Sequence, residues 1–67
     1  MTVGTQLKQT IAGLKGAQAN LETFALATDN TNAKQLFQTA AQQTQSIIES
    51  VEPRLQEIEQ EEPQYKQ

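Results

Sequence analysis

An apolar rhythm of helical period runs twice along this chain and breaks once, at Thr28-Asp29-Asn30-Thr31-Asn32. In the first stretch Val3, Leu7, Ile11, Leu14, Ala17, Leu21, Phe24 and Ala25 recur at spacings of three and four, which places them on one face of an α-helix. In the second, Ala33, Phe37, Ala40, Thr44, Ile47, Val51 and Ile58 keep a heptad phase, and Ala41, Ile48 and Leu55 widen the stripe. Asp and Asn compete with helical hydrogen bonds through their own side chains and favour turns and caps. One of Asp29, Asn30 or Thr31 is therefore expected to cap the second helix, and Thr2 the first. So short a connection makes the two helices antiparallel neighbours. The expected fold is all-α: an antiparallel helical hairpin in one domain, with helices near 3–27 and 32–61, a turn at 28–32 and a frayed tail at 62–67.

Two irregularities bear on how the helices pack. Gly13 and Gly16 fall away from the main apolar stripe, and a small-residue strip of Ala12, Gly16, Ala19 and Thr23 lies on the far side, with Leu26 near its end. Either a second backbone approaches closely there, or the helix tolerates about 1 kcal/mol per glycine. Pro53 removes the amide that would bond the carbonyl of Glu49 and clashes with that turn, at about 3 kcal/mol. Val51, Leu55 and Ile58 hold phase across it, which favours a helix that kinks and continues. The alternative is a break near Ser50, with Pro53 opening a short third helix.

Size presses toward a partner. A chain of 67 residues has a marginal core, and without cysteine it has neither a disulfide nor a thiolate zinc site to compensate. Idealised helix packing and oligomerisation remain. A single hairpin half-covers each stripe, so Leu7, Leu14, Leu21, Phe37, Ile47, Val51 and Ile58 are expected to form a buried seam in a homo-oligomer, a dimer first, and two hairpins back to back would make a four-helix bundle. The acidic last segment still carries Leu55, Ile58 and Tyr65 in phase, an apolar line with a polar rim that suits contact with a protein or a second copy.

Charge and composition exclude several function classes. The net charge is −3: residues 1–48 carry three lysines against two acids, whereas residues 49–67 carry two basic residues against six glutamates. No basic stripe is available to neutralise phosphates, so nucleic-acid binding is not expected. With no His and no Cys, and with only Ser46 and Ser50 as serines, no base stands ready to activate a nucleophile, and an enzyme is not expected. Gly13-Leu14-Lys15-Gly16 is a lone GxxG inside a helical pattern and makes no phosphate loop. Glu57, Glu61 and Glu62 lack the spacing of a calcium loop and read as a solvated acidic face, so neither metal nor cofactor is expected. The many glutamines, among them Gln38, Gln42, Gln43 and Gln45, are good helix formers on outer faces. No run reaches the roughly 18 apolar residues of a membrane span, and no signal peptide is visible, so the expected location is cytoplasmic.

Met1 to Thr10, the run from Leu14 to Ala25, and the close from Glu52-Pro53-Arg54 to Glu61-Glu62-Pro63-Gln64-Tyr65 together resemble one family, the domain of unknown function numbered 1657, short proteins of endospore-forming bacteria. Members are often encoded beside genes for a spore membrane channel, and a related segment occurs fused to a membrane domain. The resemblance implies a sporulation accessory role in the forespore or spore core, peripheral to the inner membrane, with a spore membrane protein as partner. It brings no established active site, so it implies no catalytic residue here. The competing reading is an amphipathic protein bound to a membrane surface. Such helices usually present Lys or Arg on their polar face, and these present Gln, Thr and Glu.

Overall fold

The computed structural model describes residues 3–61 and shows an all-α hairpin of two helices, α1 (Val3–Ala27) and α2 (Thr31–Glu61). Thr2 and the tail, with its expected fraying and Tyr65, lie outside the described residues. The connection is Thr28-Asp29-Asn30, two residues shorter than expected, because Thr31 and Asn32 already belong to α2.

Side-chain hydrogen bonds close this turn. The Asn30 Oδ1 accepts from the Ala33 amide at 2.8 Å, which makes Asn30 the N-cap and satisfies one of the orphan amides of α2. The Thr28 Oγ1 in turn accepts from the Asn30 amide at 3.2 Å, and the Thr28 amide donates to the carbonyl of Phe24. At the C-terminal end of α1 no basic residue occupies the last turn. The cation comes from the other helix instead: Lys34 Nζ donates to the Ala25 carbonyl at 2.6 Å. That bond pins the start of α2 to the negative end of the α1 dipole.

The seam between the helices is a heptad seam. On α1, Gly4, Leu7, Ile11, Leu14, Gln18, Leu21, Ala25 and Thr28 are buried or half-buried, at strict alternating spacings of three and four. On α2, Lys34, Phe37, Ala41, Thr44, Ile48, Val51, Leu55 and Ile58 repeat the alternation. The fully buried members are Gly4, Ile11 and Ala25 on one side, and Ala41, Ile48 and Ile58 on the other. The apolar stripe expected on α1 is therefore corrected at three places. Val3, Ala17 and Phe24 stand outside the seam; Gly4 and Gln18 hold two of those turns, and Ala25, already in the expected stripe, holds the third. On α2 the correction is Ile47, half-exposed at 50 %, while its neighbour Ile48 is the most deeply buried side chain, at 1 %.

Helix α2 runs through Pro53 without a break, which removes the alternative of a third helix. Pro53 is exposed on the side of α2 opposite the seam, where water reaches the freed carbonyl and helices bow toward solvent. Threonines inside the helices return their hydroxyls to carbonyls one turn back, as Thr44 does to Ala40 at 2.8 Å. No buried side-chain nitrogen or oxygen among the described residues lacks a partner.

The hairpin is a flat plank of 49 × 18 × 11 Å. Its radius of gyration, 15.2 Å, exceeds the roughly 11 Å of a compact chain of this length. Two helices enclose one seam and leave both broad sides open.

Candidate interaction faces

The heptad register assigns each flanking residue to one of the two broad sides. The first is ionic. Lys8 and Lys15, seven residues apart on α1, meet Glu59 and Glu52, seven residues apart on α2, at 3.3 and 2.9 Å. All four side chains are partly exposed, so each pair contributes at most about 1 kcal/mol. Their larger consequence is register: a shift of α2 by one heptad would leave a lysine or a glutamate without its partner. Further toward the turn, Gln18, Glu22, Gln38, Ala41, Gln42 and Gln45 line a shallow depression of about 490 Å³. Its lining is mainly amide, and two local bonds tie it down, Gln18 to Glu22 and Gln45 to Glu49.

The second broad side is uncharged over most of its length. Its α1 flank is Val3, Thr10, Ala17 and Phe24; its α2 flank is Ala33, Ala40 and Ile47, with Arg54 beyond. The large apolar side chains most exposed to solvent are Val3 at 65 %, Phe24 at 50 %, Leu26 at 82 %, Leu36 at 65 % and Ile47 at 50 %. All but Leu26 belong to this side. Phe24 and Phe37 meet edge to face across it, with ring centroids 5.7 Å apart. Arg54 at the open end is taken up by Glu57 at 3.2 Å and Glu61 at 4.0 Å.

The residues expected to mediate contact are distributed unevenly. Leu7, Leu14, Leu21, Phe37 and Val51 are half-buried in the seam row that borders the uncharged side, and Ile47 stands on its flank. Leu55 is half-buried in the other row, and Ile58 is buried against α1, so Ile58 serves the hairpin's own seam. Gly13 and Gly16 have open space where a Cβ would be, so no backbone among the described residues approaches them. The strip of Ala12, Gly16, Ala19 and Thr23 is likewise exposed. The ionic pairs were not anticipated. Two lysines and two glutamates at matching seven-residue intervals on antiparallel helices were the available signal.

Among the described residues no group of three acidic side chains is placed to hold a metal, and no helix is long and apolar enough to cross a membrane. The geometry is that of an antiparallel two-helix coiled coil with one charged and one uncharged side. A family model described as protein of unknown function (DUF1657) matches residues 7–55, both helices and the turn. The chain belongs to that family. Neither a search of curated proteins nor a search of solved structures returns a match.

Proposed function

We propose that this chain is a non-enzymatic protein-interaction module that self-associates and acts as an accessory factor in sporulation. One observation carries the first half: Phe24, Leu36 and Ile47, with Val3 at the far end, are exposed along one broad side of a thin hairpin. Isolated exposed apolar residues are ordinary, but a grouped set on a face rimmed by polar residues marks a contact surface. Sedimentation equilibrium reads the outcome directly. The native species is expected at twice the 7.4 kDa chain mass, and a single-chain mass at every concentration would remove the self-association.

The second half is supported by the family resemblance alone, since members of that family are often encoded beside genes for a spore membrane channel. The proposed site of action is the forespore or spore core, peripheral to the inner membrane, with a spore membrane protein as partner. A fluorescent fusion expressed in an endospore-forming host is expected to collect at the forespore membrane. Uniform fluorescence throughout growing cells and spores would exclude that role.

A further inference from the structure

We infer that the uncharged broad side is the self-association surface and that its occupant is a second copy of the same chain, packed face to face across a two-fold axis. This deepens the self-association reading above and rests on it. Three features of the hairpin point to it.

The first is uneven coverage of the seam. In the row beneath the ionic side, Ile11, Ala25, Ala41 and Ile48 are 5, 3, 4 and 1 % exposed. In the row beneath the uncharged side, Leu7, Leu14, Leu21, Phe37 and Val51 are only half-buried, and Ile58 at its end is buried; the ionic-side row has Leu55 half-buried at the same end. The Lys8–Glu59 and Lys15–Glu52 pairs roof one row. Over the other row, among the described residues, Phe24 packs edge-on against Phe37 and no ion pair spans the helices beside Leu7, Leu14 or Leu21, so this row is the more open of the two.

The second is charge. In an isologous interface each patch meets its own copy, so any charge there meets a like charge. On the uncharged side no ionisable group occurs on α1, nor on α2 before Arg54. The ionic side carries Lys8, Lys15, Glu52 and Glu59 over its open half, with Glu22 nearer the turn, and would set like charges against each other in many registers. A membrane is a poorer occupant, because anionic lipid attracts basic rims, and this face offers only Arg54, already engaged with Glu57 and Glu61.

The third is area. The face is 18 Å wide, and its uncharged length on α2, from Thr31 to Pro53, spans about 34 Å, a footprint of roughly 600 Å² before corrugation. A stable interface of standard size buries about 600–1,000 Å² per partner. A thin hairpin meets that need across a broad side and cannot meet it along an 11 Å edge.

The test compares Ile47→Glu with Gln35→Glu in the full chain. Both add one negative charge to an exposed or half-exposed position of α2, the first on the uncharged side and the second on the ionic side. Sedimentation is expected to show the dimer of Ile47→Glu weakened about 100-fold or more, since two unpaired carboxylates are forced into one apolar contact. The Gln35→Glu dimer is expected to match the parent. A second measurement needs no variant. A soluble paramagnetic agent is expected to spare the Phe24 and Ile47 side-chain resonances of the parent while broadening those of Leu26. A dimeric parent whose Ile47→Glu variant stays dimeric, or whose Ile47 is broadened like Leu26, overturns the face and leaves self-association standing. A parent that is a single chain at every concentration overturns both. An Ile47 protected only on phosphatidylglycerol vesicles overturns the second copy in favour of a membrane.

Discussion

Replacing Ile48 with alanine is expected to unfold most of this protein at room temperature. Ile48 is 1 % exposed and sits mid-seam, where the remaining fully buried side chains are two isoleucines and two alanines. Truncation of a buried isoleucine costs about 2–5 kcal/mol, as lost transfer energy and a cavity that surrounding chains cannot fill. A single core of this size rarely supplies more than about 3–5 kcal/mol in total. The same change one residue earlier, Ile47→Ala, touches a half-exposed side chain and is expected to cost about 0.5 kcal/mol or less within one hairpin. Helical circular dichroism through a denaturant titration, run dilute enough that association plays no part, measures both. Equal losses for the two variants would mean that the seam of α2 is centred elsewhere.

That pair of neighbours shows what the sequence made legible and what it hid. The two helices, their direction and the break between them follow from apolar period and turn chemistry, and the Asn30 cap lies among the three residues expected to supply it. The seam's position was harder because apolar residues often stand side by side: Val3 with Gly4, Phe24 with Ala25, Ala40 with Ala41, Ile47 with Ile48. Period alone leaves either member of such a pair inside, and size favours the larger. The hairpin buries Gly4, Ala25 and Ala41, the smaller or later members, because two helices held together by so few layers approach most closely over short side chains. The first members of all four pairs, Val3, Phe24, Ala40 and Ile47, are displaced to one flank and help make the uncharged side. Ion pairs between the two helices discriminate between the two registers where hydrophobicity does not. A lysine pair and a glutamate pair at heptad spacing can meet in an antiparallel hairpin only if Gly4 and Ile11 face inward.

Replacing Pro53 with alanine is expected to stabilise the hairpin by about 2 kcal/mol, and the balance of terms fixes the sign. Proline inside a helix costs about 3 kcal/mol through the missing amide and the clash with the preceding turn. Part of that is offset because proline also restricts the unfolded chain, a contribution of about 0.4–1 kcal/mol that alanine gives up. The helical term wins only if Pro53 is a true interior position, and α2 continues eight residues beyond it to Glu61 with Leu55 and Ile58 still in the seam. Pro53 is exposed and faces away from α1, so alanine there removes no contact of the core. In a domain this small, about 2 kcal/mol corresponds to a rise in Tm of roughly 10 °C. A proline at the first turn of a new helix behaves oppositely, since its fixed φ favours the start and its missing amide has no partner to lose. Thermal melts of the parent and Pro53→Ala therefore discriminate between the two structures: a Tm that stays level or falls would show that α2 ends before Pro53 in solution, and that the seam beyond it, with the Lys8–Glu59 pair, is made by a separate helix.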